Sequence, residues 1–367
     1  MERIVVVGPT FPNKGGGAQH TTELAHRLTA AGHGVVIESW AAQYPGFLYP
    51  GQQTISQPEG EPFPFVQRRL HWARPWGWFR AGRRSRSARL VVLAVLSPVQ
   101  VPAYLAILRG LRPIRRRSGG PRVVALCHNV LPHESTPFDR ALMRALLRRV
   151  DTVLTHSSDQ AALASGLTQA PVEVATLPPH LPSRPVPDAT AREYEVRRRL
   201  LFFGLIRPYK GLDILLRALA AGPPDVSLTV AGEFWGGERE TRALIDELGL
   251  TDRVDVRAGY VAAADVPALF AACDALVLPY RSATASQNVW LGHEHGVPVI
   301  ATRVGALAVD IEDGVNGLVV EPGSVPGLTA ALRRFYEPGE PERMRAAVHP
   351  VDPAPYWDSY ISALMRP

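Results

Sequence analysis

The sequence predicts an α/β protein of two domains, each a parallel sheet covered by helices. Three observations carry this. The chain of 367 residues is long enough to bury two ordinary cores. Short β-branched runs alternate with longer amphipathic ones. A proline-rich stretch splits that alternation into two series. Hydrophobic content of 46% against 20% charged residues describes a folded chain and excludes a disordered one.

In the first series the expected strands are RIVVVG from Arg3, GVVIES from Gly34, RLVVLAVL from Arg89, RVVALC from Arg122, DTVLTH from Asp151 and VEVATL from Val172. Between the first two, Leu24, Ala25, Leu28 and Ala31 recur at helical spacing and Gly32 stops the helix. Prolines at 171, 178, 179, 182, 185 and 187 then forbid both a helix and a central strand, which predicts a stiff connector. The second series gives strands RLLFFG from Arg199, VSLTVAG from Val226, RVDVRAG from Arg253, DALVLPY from Asp274, VPVIAT from Val297 and GLVVEP from Gly317. Helices are expected in GLDILLRALAA, ETRALIDELG, ADVPALFAAC and VPGLTAALRRFYE. The result is two Rossmann-like domains, 1–186 and 187–352, facing a central cleft, with ligands outside the carboxyl ends of the strands. The tail 353–367 reads as a helix packing back on the first domain.

The longest uncharged run, residues 90–108, is about long enough to span a bilayer, but two prolines interrupt it and a buried strand, turn and short helix explain it better. Cys127 and Cys273 lie far apart in apolar runs, as buried thiols in a reducing compartment would. The N-terminus meets Gly-Pro after a short apolar run, without the length or flanks of a signal peptide. These features predict a cytoplasmic protein.

Charge is unevenly spread. From Pro62 to His133 there are fourteen arginines and no acidic residue, so with +6 overall the rest of the chain sums to −8. The densest part interleaves Trp72, Trp76, Trp78 and Phe79 with eight arginines. That combination suits an anionic membrane surface on the inner face of the plasma membrane, or an anionic acceptor. A solvated basic face is the alternative. No nucleic-acid motif accompanies the charge, so nucleic acid is not expected as a partner.

Only two of the 40 basic residues are lysine, Lys14 and Lys210, and both stand beside glycine. A compact ammonium serves a diphosphate differently from a planar guanidinium. Gly15-Gly16-Gly17 opens a helix after the first strand, where backbone amides can approach an anion. A tight structural turn would look the same. FFGLIRPYKG places Arg207 and Lys210 on a short strand-to-helix loop, where two cations call for an anion. The polar loop SATASQN, 282–288, enters a third helix with hydroxyls and amides suited to phosphate oxygens.

Taken together these segments resemble the GT4 glycosyltransferases of GT-B fold. The likeness includes HNVLPHE at 128–134, the G-x-x-x-P-x-K-G pattern at 204–211, AGEFW at 231–235, PYRSATASQ, GVPVIATRVGAL and DGVNGLVVEPG. It implies transfer of a sugar from a nucleotide diphosphate sugar with retention of configuration, with no metal and no cofactor. By that likeness Lys210 and Arg207 would hold the diphosphate, and Ser286, Gln287 and Asn288 would help. Tyr260 and Val261 would flank the base, and Gly16 and Gly17 would close on the diphosphate. Glu233 falls among the donor-binding positions. His128 would meet the transferring sugar, where charge separation between anomeric carbon and leaving phosphate needs fixed dipoles. Lys14, His20, His133, Trp72 and Trp76 are expected on the acceptor side, for a glycan, a lipid or a small molecule.

The chain departs from the family's two-glutamate motif. Those positions are Ala283 and Leu291, as in the subgroup with an SATQSG-like loop, and Glu294 is the candidate to serve the ribose instead. A transferase acting on a soluble secondary metabolite, and an inactive homologue serving as a partner protein, are the competing expectations.

Overall fold

The computed structural model describes residues 2–46, 52–111, 120–132, 136–180, 194–283 and 286–366. The chain divides into two units, Met1–His180 with Pro353–Pro367, and Leu181–Asp352.

Unit 1 is built on seven parallel strands in the order β3-β2-β1-β4-β5-β6-β7. They are β1 (Arg3–Val7), β2 (Gly34–Ala42), β3 (Val66–His71), β4 (Leu90–Val95), β5 (Arg122–Cys127), β6 (Thr152–Thr155) and β7 (Val172–Val174). β4 is buried at all six positions, as expected of a central parallel strand covered on both faces. Its residues and those of β1 alternate between two cores: Val5, Val7, Val91 and Leu93 pack on one face, Ile4, Val6, Leu90 and Val92 on the other.

The basic segment, expected from sequence as a membrane-facing, acceptor-binding or solvated basic surface, holds two elements. β3 is the edge strand, with Leu70 buried and Arg68 and Arg69 exposed. Exposed cations suit an edge, because they discourage pairing with another chain. α2 (Pro75–Arg84) follows and packs against α3 (Val101–Leu111) at close range. A Cβ on Gly82 would stand 2.1 Å from the carbonyl oxygen of Ile107, and one on Gly110 2.3 Å from that of Phe79. Two glycines facing each other therefore allow the contact. Arg84, at the end of α2, donates two hydrogen bonds to the buried Glu38 carboxylate on β2, at 2.9 and 2.8 Å. The basic helix is thereby tied to the sheet.

α12 (Ala354–Met365) belongs to unit 1 and buries Trp357, Tyr360, Ala363 and Leu364 in its core. The Trp357 indole N–H donates to the Pro179 carbonyl at 3.1 Å. Both cysteines are free and buried. Among the described residues no helix is long and apolar enough to cross a membrane.

Unit 2 carries six parallel strands in the order β10-β9-β8-β11-β12-β13. They are β8 (Arg199–Phe203), β9 (Ser227–Gly232), β10 (Val254–Ala258), β11 (Ala275–Leu278), β12 (Val299–Thr302) and β13 (Gly317–Val320). The apolar face of α6 (Leu212–Ala221) covers one side of this sheet. Asp274, fully buried ahead of β11, accepts from the Tyr194 and Tyr336 hydroxyls and from the amides of Arg197 and Arg199. Four donors on one carboxylate satisfy its charge without a cation.

Candidate functional site

The loop between β8 and α6 carries the pair of cations and is fixed by three close approaches. Gly211 adopts φ +70°, and a Cβ there would lie 2.1 Å from the Pro279 carbonyl oxygen. Gly204, at φ +101°, lies under Gly232, where a Cβ would meet the Gly204 oxygen at 1.8 Å. Arg281 braces the loop from outside: it pairs with Asp213 at 2.6 Å and donates to the Pro208 carbonyl at 2.8 Å. Substitution at Gly211 or Gly232 would force backbone apart.

Lys210 is 9% exposed, with its Nζ 5.1 Å from the Tyr280 ring centroid and 3.8 Å from where a Gly204 Cβ would stand. Burial, aided by Arg207 and opposed by Tyr209, pulls its ammonium below lysine's usual range. The Arg207 guanidinium lies 5.2 Å from the Trp235 ring and 6.0 Å from the Tyr209 ring. Neither cation has a carboxylate within 4.0 Å among the described residues. A buried ammonium held by rings and a glycine, with a guanidinium beside it, leaves two positive charges open to an anion.

The SATASQN loop is placed nearby. The Asn288 side-chain amide donates to the Phe203 carbonyl at 3.0 Å and to the Tyr280 hydroxyl at 3.4 Å. Asn288 thus holds the end of β8 and the ring that backs Lys210, a bracing position the sequence did not reveal. Ser286 Oγ accepts from the Asn288 amide at 3.3 Å. Thr284 and Ala285 lie outside the described residues. Tyr260 is 37% exposed beyond β10, and Val261 is partly buried against the core that holds Phe270 and Leu278. The Glu233 carbonyl accepts from Ile206 at 2.8 Å. Glu294 is the last residue of α9 (Asn288–Glu294), at the opposite end from Asn288, and burial raises its carboxyl above the usual range.

In unit 1, α1 (Gly16–Ala30) starts at the glycine triplet. A Cβ on Gly16 would meet nothing within 4 Å, whereas one on Gly17 would stand 2.6 Å from Leu96. The first glycine therefore faces open space and the second is needed for packing. Beside them lies a cavity of about 180 Å³ lined by Asn13, Lys14, Gln43, Tyr44 and Gln53 with the glycines. Carboxamides, a phenol and an ammonium, with no carboxylate among the described lining residues, suit a polyhydroxylated or anionic group. Trp76 is 77% and Trp72 42% exposed, while Trp78 is half-buried and donates to the His71 carbonyl at 2.9 Å. His133 lies outside the described residues.

His20 stands elsewhere than expected. It is 0% exposed, with one nitrogen hydrogen-bonded to His180 Nε2 at 2.7 Å and the other to the Tyr360 hydroxyl at 3.0 Å. With both nitrogens engaged and no surface, it cannot touch an acceptor in this conformation. His20 is instead the centre of a cluster, with ring centroids 4.9 Å from His128, 5.9 Å from His156 and 4.9 Å from His180. The cluster forms because His128, His156 and His180 follow the ends of β5, β6 and β7, and α1 brings His20 against them. The His128 amide donates to the Val95 carbonyl at 3.0 Å, and its Nε2 is buried without a hydrogen-bond partner. Burial, reinforced by the neighbouring histidines, holds His20 and His128 well below the usual imidazole range. Burial likewise brings His156 to about 4 and His180 to about 3. No group of three or more His, Cys, Asp or Glu is arranged to hold a metal ion among the described residues.

Comparison with known proteins agrees with this architecture. The family model "Glycosyltransferase Family 4" matches residues 14–179, and "Glycosyl transferases group 1" matches residues 197–338. The GDP-mannose-dependent alpha-(1-6)-phosphatidylinositol monomannoside mannosyltransferase of Mycolicibacterium smegmatis is 32% identical over 248 residues, 60% of this chain and 63% of that protein. The D-inositol 3-phosphate glycosyltransferase of Mycobacterium sp. (strain KMS) is 34% identical over 151 residues, 40% of this chain and 34% of that protein. The matched stretches thus span less than two thirds of either relative. Anabaena Alr3699/HepE, solved with UDP and glucose, superposes with a TM-score of 0.72 at 17% identity, covering 99% of both chains. The lipopolysaccharide outer core galactosyltransferase WaaB gives 0.65 at 16% identity, again over 99% of both. The two family models between them take in β2 to β13 and both glycine-bearing loops, and the chain belongs to the GT4-like glycosyltransferases of GT-B fold.

Proposed function

We propose that the protein is a retaining, metal-independent glycosyltransferase that takes a sugar from a nucleotide diphosphate sugar. The observation that carries this reading is Lys210: a buried ammonium with no carboxylate partner among the described residues, next to a second such cation at the strand-to-helix loop. Leaving-group departure puts negative charge on the diphosphate, and fixed positive charge in a protected place stabilises that charge more than water does. His128 would oppose the positive charge growing on the anomeric carbon with a neutral ring dipole, since its surroundings disfavour the imidazolium. The relative from M. smegmatis is named for GDP-mannose and a phosphatidylinositol mannoside, and the Anabaena neighbour was solved with UDP and glucose. The polar cavity beside Lys14 suits the hydroxyls of such an acceptor head group.

The test is a screen of UDP-, GDP- and dTDP-sugars for turnover, alongside melting in the presence of each nucleotide. A nucleotide at a hundred times its Kd stabilises the native unit that binds it by about 2.7 kcal/mol, a rise of several degrees in Tm. If none is turned over and none raises the Tm, the proposal fails and the partner-protein reading takes its place.

The acceptor is proposed to be lipid-borne, reached at an anionic membrane surface on the cytoplasmic side. Exposed Phe65 (61%), Trp72 and Trp76 share the segment with exposed Arg68, Arg69, Arg74, Arg80 and Arg83. Each basic residue near such a surface contributes about 1 kcal/mol. The protein should therefore float with phosphatidylglycerol vesicles at low salt and be released at high salt, and Arg68, Arg69, Arg74 and Arg80 changed together to Gln should abolish flotation. Absence from the vesicles at both salt levels would favour a soluble acceptor.

A further inference from the structure

We propose that Trp235 is a positioning residue for Arg207, holding the guanidinium by its ring face so that the charge is left open for the donor's diphosphate. The inference rests on the diphosphate reading of the β8–α6 loop and extends it to a residue outside that loop. Trp235 reaches Arg207 because the pairing of β8 with β9 continues past the strand ends. The Gly204 amide donates to the Ala231 carbonyl at 3.0 Å, Ile206 to Glu233 at 2.8 Å, and Trp235 back to Ile206 at 3.0 Å. Ile206 and Phe234 form a bridge of their own beyond the named strands. This zipper is possible only because Gly232, at φ +152°, lets the two backbones meet. Its consequence is a fixed register that sets the Trp235 ring 5.2 Å from the Arg207 guanidinium.

The alternative way to fix a cation is a carboxylate, as Asp213 fixes Arg281 at 2.6 Å, but an ion pair cancels the charge that a diphosphate would use. An aromatic ring orients a guanidinium through its quadrupole and adds no compensating charge. Lys210 is treated in the same manner, with its Nζ 5.1 Å from the Tyr280 ring. Tyr209 and Tyr280 stand edge to face at 6.3 Å, so a chain of ring contacts links the two cations, from Trp235 through Arg207, Tyr209 and Tyr280 to Lys210.

The experiment is calorimetric titration of the full chain with UDP, GDP and dTDP, and with the matching nucleosides by competition. Trp235→Leu is expected to weaken the preferred diphosphate about 3- to 10-fold, the scale of one partly desolvated cation–ring contact. The nucleoside should bind unchanged, Trp235→Phe should recover most of the loss, and Trp235→Leu should add nothing in an Arg207→Ala background. Equal weakening of nucleoside and diphosphate would overturn the inference, because the ring would then be stacking on the base. Additive losses in the double variant, or no rescue by Phe, would overturn it too. If the wild type binds a diphosphate and Trp235→Leu binds it equally well, this inference alone falls. If the wild type binds none of the three, the donor reading falls and takes the inference with it.

Discussion

Replacing Lys210 by Met is expected to slow sugar transfer by roughly two to three orders of magnitude, the scale of removing one fixed charge from a transition-state oxyanion. The same change should leave the melting temperature unchanged or raise it. An unpaired ammonium at 9% exposure weakens the folded state, as its lowered pKa records, and an apolar side chain of similar length relieves that cost. Lost activity with retained or improved stability separates a functional lysine from a structural one. Lys210→Arg should not rescue. The ammonium sits against Gly204 and the Tyr280 ring, where a planar guanidinium has neither the room nor the shape to replace it. Full activity in Lys210→Met would remove the clamp from the mechanism. A lower Tm in Lys210→Met would show the lysine to be part of the core.

Unit 1 should lose stability steeply as the pH falls from 6.5 toward 4. The sign follows from the histidine cluster. His20 and His156 are 0% and 3% exposed, and both hold folded-state pKa values below the unfolded value, His156 at about 4. Between those values the unfolded chain binds protons that the folded chain excludes, so stability rises with pH. The contribution is complete above the unfolded pKa and is lost on acidification toward the folded one. Well below the unfolded value a histidine such as His156, held at about 4, loses about 1.4 kcal/mol per pH unit, roughly 1.6 kcal/mol in all between pH 6.5 and 5, and His20 adds a loss of the same sign. Against a typical 5–15 kcal/mol that loss is readily measured. The groups facing His20 are His128, His156, His180 and Tyr360, and none is a carboxylate that would stabilise the imidazolium. Hydrogen exchange in α12, whose Trp357 and Tyr360 pack on His20, reads the loss locally. His156→Gln should flatten the pH slope. Equal protection of α12 at pH 7.5 and 5 would refute the assignment of these histidines as neutral.

Much of the fold was legible because doubly covered strands announce themselves. β4 is apolar at every position and β8 carries LLFF, and no other element hides such runs so economically. β3 was not legible for the opposite reason. An edge strand buries one residue, Leu70, and shows its arginines to solvent, so its sequence looks like a basic surface. The cations of the donor loop were visible as residues: a lysine kept among arginines, next to glycine. That Lys210 is buried without a carboxylate partner among the described residues was not visible, because burial depends on Tyr280 and Asn288, seventy and more positions away. His20 was expected on the acceptor side, and the sequence cannot show that α1 turns it into the core.

The sequence by itself determined the local alternation, the division into two sheets, the loops that present cations and glycines, and the family. These are short-range properties: hydrophobic period, proline and glycine placement, and residues within a few positions of each other. Only the tertiary structure decided which charges stay open, which histidines meet, and which tryptophans face solvent. Those outcomes depend on residues such as His20 and Tyr360, or Arg207 and Trp235, which are far apart along the chain and are brought together by strand order and by backbone contacts that glycine permits.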